Sequence, residues 1–223
     1  MNSCLASIFD EAVDPHIVEC QRKVVDRFNI SSRPFHQIRI TTPRLRRIYQ
    51  RKKKEHGDFL DDFLNSTSHD VVLFLDVDCV PVSEKAIDYY LTEACQGKLI
   101  GNAQRANHIQ NNEHLYASPA ALGISIETYN KLGRPSASPS DRGDVAEELT
   151  YIAELKGIPI ELVMPSRYDR TPSWPLRSGL HDFGIGTTYT HPTLGDLFWH
   201  CFQITVGDRG DFFKEKCLSF ISR

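Results

Sequence analysis

Val71-Val-Leu-Phe-Leu-Asp-Val-Asp-Cys-Val-Pro81 is the stretch on which the fold turns. A strand with one wet face alternates apolar and polar residues, and Val71–Leu75 does not alternate at all. Both of its faces must therefore be covered, as in a sheet with crossover helices packed on either side. The apolar run stops at Asp76-Val-Asp78, so two carboxylates stand at the carboxyl end of a buried strand. In open α/β sheets that edge is where ligands bind.

Working outward, strands and helices alternate. Leu5–Phe9 reads as a strand, and Asp14-Pro15 as the cap and first turn of a helix whose apolar stripe (Ile17, Val18, Val24, Val25) runs to Phe28. Phe35, Ile38 and Ile40 mark a second strand, and Phe59, Leu60, Phe63 and Leu64 the apolar side of a helix ending near Asn65. Beyond Pro81 the pattern predicts a helix from Ser83 to Ala94, a strand from Lys98 to Asn102, and a helix from Ser125 to Leu132 closed by Gly133. A helix from Val145 to Leu155 closed by Gly157 and a strand from Ile158 to Met164 follow. Ser166–Thr190, with several Gly and Pro and few periodic apolar residues, reads as a long functional loop or lid. The expected architecture is a single-domain α/β sandwich, residues 1–223, with a mostly parallel central sheet flanked by helices.

Composition agrees and excludes much else. The 223 residues are 40% hydrophobic and 25% charged with a formal net charge of −3, so neither a disordered chain nor a strongly basic nucleic-acid binder is indicated. The longest aliphatic or aromatic run is Val71–Leu75, far short of the ~20 residues of a membrane span, and the first thirty residues show no secretory pattern. Six cysteines without C-x-x-C pairs argue against a disulfide framework and a thiolate zinc site, and the expected compartment is the cytoplasm.

The Asp76 and Asp78 carboxylates leave the strand together, and their oxygens can converge on one hard cation, Mn²⁺ or Mg²⁺, which in turn can hold a diphosphate. At these residues the chain resembles the GT-A family of nucleotide-sugar-dependent glycosyltransferases, whose mark is a D-x-D at the end of a central strand, here Leu73-Phe-Leu-Asp-Val-Asp78. The resemblance covers most of the chain. It implies a GT-A-like, Rossmann-like fold and a hexosyltransferase-type enzyme whose donor is a UDP- or GDP-sugar and whose acceptor is a carbohydrate or another hydroxyl. Residues 1–102 would form the nucleotide-binding half and 103–223 the acceptor and sugar half.

The resemblance further implies that Asp76 and Asp78 bind the metal, completed by a late histidine. His200, inside Leu197-Phe-Trp-His-Cys-Phe202, is the first choice, and His191 the second, with His181 also available. An acid at the start of a later helix would be the base. Gly143-Asp144-Val-Ala-Glu-Glu-Leu149 offers Asp144, with Glu147 and Glu148 as competitors one turn on. Phe9 after the first strand, His56 beside Gly57, and Val77 within the D-x-D are placed with the donor. The amide-rich segment Gly101–Glu113 supplies Asn102, Gln104, Arg105 and His108 for sugar hydroxyls.

Arg44–Lys54 carries seven basic residues in eleven. It reads as a solvated connection or as an attractor of donor phosphates, and nucleic acid is not favoured because only Tyr49 interleaves it. Two other classes share part of the pattern. Asp76-Val-Asp-Cys-Val80 also fits haloacid-dehalogenase-like phosphohydrolases, although that motif normally opens its chain and here follows 75 residues. A nucleotide-sugar or carbohydrate-binding domain without turnover would keep the D-x-D and dispense with the base.

Overall fold

The computed structural model describes residues 1–41, 56–106, 113–172 and 183–222. Its elements are β1 (Ser3–Asp10), α1 (Pro15–Phe28), β2 (Phe35–Ile40), α2 (His56–Ser66), β3 (Val71–Leu75), β4 (Cys79–Pro81), α3 (Ala86–Cys95), β5 (Leu99–Gln104), β6 (Tyr116–Ser125), α4 (Ile126–Leu132), α5 (Glu147–Lys156), β7 (Ile160–Arg167), β8 (Ile185–His191), β9 (Gly195–Cys201) and α6 (Arg209–Ile221). They form one sheet in the order β2-β1-β3-β6-β5-β7-β8-β9-β4. β3 is buried along its whole length, as an apolar run without alternation requires.

Pairing directions show how far the sheet is parallel. β1 is parallel to β2 and β3, and β5 to β7, while β6 runs antiparallel between β3 and β5. Reversal of β6 restores the direction, so β2, β1, β3, β5 and β7 all deliver their carboxyl ends to one edge. β8, β9 and β4 extend the sheet antiparallel. Helices cover both faces. Leu60, Leu64, Tyr129, Leu132, Leu149 and Ala153 from α2, α4 and α5 pack on one side. Ala86, Ile87, Tyr90 and Leu91 of α3, with α1 and α6, pack on the other.

The predicted helix boundaries follow their caps. Asp14 accepts a hydrogen bond from the N–H of His16, with Pro15 at the first turn. Ser125 caps α4 by accepting from the N–H of Thr128, and Gly133, at φ 89°, closes it in the left-handed region.

Five elements were not expected: β4, β6, β8, β9 and α6. β6 was not predicted because Tyr116-Ala-Ser-Pro-Ala-Ala-Leu-Gly-Ile-Ser125 is built of small residues where strands prefer branched ones. The reason is packing: β6 lies between helices on both faces, and a Cβ on Gly123 would stand 2.8 Å from Ile100 Cγ2. Its Pro119 falls where the register against β5 shifts, so the missing N–H breaks no ladder bond there. The loop or lid expected over Ser166–Thr190 is corrected at both ends, since β7 continues to Arg167 and Ile185–Thr190 is paired strand; residues 173–182 lie outside the described residues. β9 and α6 complete the C-terminal third, where the Trp199 ring meets Phe212, Phe213 and Phe220. Among the described residues no helix is long and apolar enough to cross a membrane.

Candidate active site

The D-x-D forms a tight turn at the carboxyl end of β3. Asp76 donates its N–H to Ala120 O (3.2 Å), and its own carbonyl accepts from Cys79 N (2.9 Å). Ala120 offers that carbonyl from the irregular stretch of β6 beside Pro119, so the strand that sequence reading missed also anchors the turn.

A second anchor is Gln21, fully buried on α1. Its side-chain amide donates to the carbonyls of Asp76 (2.7 Å) and Cys79 (3.2 Å), while its oxygen accepts from Gln37 Nε2 (3.2 Å). Replacing Gln21 by Leu takes the side-chain donor from the buried Cys79 carbonyl and leaves the Asp76 carbonyl with Cys79 N alone, and the expected loss is about 1–3 kcal/mol of unfolding free energy. Urea denaturation checks it; an unchanged midpoint would show that the turn stands without the amide.

Asp78 is fixed from the other side. Its carbonyl accepts from Cys201 N (2.9 Å), and β4 pairs with β9 so that Cys79 faces His200. This sets His200 Nε2 3.1 Å from Asp78 Oδ1. The imidazole is buried, and among the described residues its Nδ1 has no hydrogen-bond partner. One ligand atom each from Asp76, Asp78 and His200 lie within 4.8 Å of one another. Burial pushes the Asp76 carboxyl above its ordinary range; His56 pulls it down, and Asp78 pushes it up again. Two crowded carboxylates with an imidazole nitrogen beside them fit a divalent cation that takes oxygen ligands and one nitrogen, such as Mn²⁺ or Mg²⁺.

A cleft of about 210 Å³ opens over this cluster and is also lined by His56, Gln104, Tyr116, Pro119, Asp144, Phe202 and Gln203. His56, at the start of α2, places Nε2 4.0 Å from Asp76 Oδ1. Gly57 beside it does not bring backbone to the cleft: it packs against the loop before α5, where a Cβ would stand 2.2 Å from Ala137 O. Tyr116 escaped sequence reading along with β6. Burial, reinforced by Asp144 and Glu147, holds its phenol well above 10, so it stays a proton donor at the cleft wall.

Asp144 enters the cleft from the loop before α5. Its N–H is held by Glu147 Oε2 (2.8 Å), and its Oδ1 accepts from Val145 N (2.7 Å). Glu147 itself is fully buried and absent from the cleft lining. It fastens the loop, and its other oxygen meets His114 Nδ1 at 2.7 Å. That side chain also accounts for Gly143, where a Cβ would meet Glu147 Cβ at 3.2 Å. Glu148 pairs with Arg142 near the surface.

His114 carries a pH signature. Burial disfavours its charged form, but the bonds to Glu147 and Glu154 outweigh burial and raise its pKa. A raised folded value means that its contribution is complete below about 6.5 and is lost as pH rises through the folded pKa. The stability gap between the wild type and His114→Gln is therefore expected to be larger at about pH 5.5 than at about pH 8.5. Denaturant unfolding at the two pH values reads it, and a constant gap would contradict the ion pair.

The remaining sequence candidates fall elsewhere. Asn102 is fully buried under the turn, accepting from Tyr90 Oη (2.7 Å) and reaching Cys79 Sγ (3.8 Å), so it supports the turn from below. Val77 packs its side chain into the core beside Val13 and Val80. Phe9 lines a separate apolar cavity with Val13, Val18 and Arg39. Arg105 follows β5 and does not line the cleft. His191 lies 3.9 Å from Glu161 and against Tyr89, away from the cluster. His108, His181 and the basic Arg44–Lys54 stretch lie outside the described residues.

The central strand of the α/β sandwich delivers the D-x-D to the carboxyl edge, and an acidic helix entrance and a further strand follow it, in the order expected from the sequence resemblance. No family profile matches the chain, and no curated protein matches it. Among solved structures, the catalytic domain of Drosophila β1,4-galactosyltransferase 7 in complex with xylobiose has a TM-score of 0.48 at 13% identity, over 72% of this chain and 63% of that one. A mutant of that enzyme with manganese, UDP-Gal and xylobiose gives 0.49 at 11%, over 73% and 65%. The glycosyltransferase GlyE of Streptococcus pneumoniae TIGR4 gives 0.42 at 12%, over 72% and 44%. The chain thus spans just under two thirds of the length of the galactosyltransferase chains. Likeness at this level carries no argument about activity, which rests on the residues of the cleft.

Proposed function

We propose that the chain is a metal-dependent glycosyltransferase that moves a sugar from a nucleoside-diphosphate sugar, with UDP- and GDP-sugars as the first donors to test, to the hydroxyl of a carbohydrate or similar acceptor. The observation that carries the reading is the Asp76, Asp78 and His200 cluster in the same cleft as Asp144. Asp76, Asp78 and His200 would hold Mn²⁺ or Mg²⁺, which when bound neutralises charge developing on the departing diphosphate.

Asp144 takes the proton of the acceptor hydroxyl as its oxygen bonds to the anomeric carbon. The bond from that carbon to the diphosphate oxygen breaks, and its electron pair leaves with the nucleoside diphosphate. One displacement of this kind inverts the anomeric centre. Tyr116 and Gln104 stand on the same cleft wall as hydrogen-bonding groups for sugar or phosphate oxygens.

A donor screen tests the reading: purified protein with Mn²⁺ is offered a panel of UDP- and GDP-sugars, and release of nucleoside diphosphate is measured with water as the acceptor. Turnover of one sugar above the others is expected. Release of inorganic phosphate from simple phosphomonoesters, with every nucleotide sugar left intact, would overturn the proposal in favour of phosphohydrolysis.

A further inference from the structure

β3 leads into the cleft at its carboxyl end, and a second group of donors meets at the amino ends of the parallel strands β2, β1 and β3. Cys4 is the second residue of β1, His36 the second of β2, and His69 stands two residues before β3. One ligand atom from each lies within 4.8 Å of the others. Cys4 is fully buried, and the His36 and His69 ring centroids are 5.6 Å apart.

The surroundings set the histidine. His69 Nδ1 lies 2.9 Å from Asn2 Oδ1, and Asn2 Nδ2 donates to Ser68 O at 2.8 Å, which fixes which end of the amide is oxygen. An amide oxygen only accepts, so Nδ1 of His69 carries the proton and Nε2 carries the free lone pair. The backbone N–H of His69 is held by Thr67 Oγ1 at 3.2 Å. An outer hydrogen bond that fixes tautomer and ring orientation is the support metal-ligating histidines ordinarily have.

We infer that Cys4, His36 and His69 form a second metal site, for Zn²⁺ or a similar thiolate-binding divalent ion, with a water in the fourth position. A tetrahedral ion with bonds of about 2.3 Å to sulfur and about 2.0–2.1 Å to nitrogen needs its ligand atoms about 3.4–3.6 Å apart. Small side-chain rotations supply that closure. One sulfur and two imidazoles select against Mg²⁺, whereas the oxygen-rich Asp76 cluster does not, so the two sites divide cations by softness. Binding releases the Cys4 proton and ties the starts of three neighbouring strands together. The absence of C-x-x-C pairs does not bear on this site, because its ligands come from three separate segments. The inference is independent of the sugar-transfer reading.

Co²⁺ titration of the purified, metal-free protein tests it, because cobalt bound to a thiolate gives a near-ultraviolet charge-transfer band that a carboxylate and imidazole site lacks. The wild type and Asp78→Asn are both expected to show the band at one ion per chain, displaced by Zn²⁺. It should disappear in Cys4→Ser. In His36→Ala and His69→Ala affinity should fall by more than about 100-fold, and in Asn2→Ala by about 10–100-fold. In the Asp78→Asn background Zn²⁺ should also raise the Tm, and the rise should be lost when His36→Ala and His69→Ala are added. No thiolate band in the folded wild type, or a band of unchanged affinity in both histidine variants, would overturn the inference.

Discussion

Asp144→Asn is expected to lower sugar transfer by about 10²–10⁴-fold while leaving nucleoside-diphosphate affinity within about twofold, since loss of a general base removes an interaction made only as the acceptor proton moves. The substitution is nearly isosteric. Its Oδ1 can still accept from Val145 N, and the backbone N–H of residue 144 still reaches Glu147 Oε2, so the loop should keep its shape. Asp144→Asn therefore separates chemistry from folding, and also distinguishes an enzyme from a binding domain, in which the change would alter nothing measurable. The matched control is Glu147→Gln, which should reduce stability more than it reduces rate per folded molecule, because Glu147 is buried and bonds the loop and His114.

The second large effect is expected at Asp78. Asp78→Asn removes one of the two charges at the cluster and changes the partner of His200 Nε2, now 3.1 Å away. Loss of several kcal/mol of charge stabilisation on the departing diphosphate corresponds to a fall of about 10³-fold or more in kcat/KM. Chelation of divalent ions from the wild type should reproduce that loss, and returning Mn²⁺ should rescue the wild type but not the variant. Full activity of the chelated wild type would remove the metal from the account.

How much of this was legible depends on whether a residue is unusual for its place. Asp76 and Asp78 stood out because carboxylates directly follow five buried apolar residues, and His200 because it interrupts an aromatic segment. The place of Asp144 at the cleft was legible from the glycine and the helix start around it. Asn102 misled because an amide at a strand end looks like a ligand for hydroxyls, yet the close approach of Tyr90 and Cys79 turns it inward. Glu147 misled for a related reason: an acid in the first turn of a helix is favoured whether it faces solvent, substrate or a backbone N–H.

Gln21 and Tyr116 left no signal. A glutamine on an otherwise amphipathic helix reads as surface, and only the fold shows it buried against the turn. Tyr116 belongs to a strand of small residues whose composition answers to helices packed on both faces rather than to strand propensity. The Cys4, His36 and His69 group shows the same limit on a larger scale, since parallel strands bring together residues that no local spacing connects.

The most direct measurement is a calorimetric titration of UDP and GDP into the metal-free protein, with and without Mn²⁺. The account predicts binding of at least one nucleoside diphosphate that depends on Mn²⁺ and is lost in Asp78→Asn. Binding of equal strength without the metal, or no binding of either nucleotide under both conditions, would contradict it.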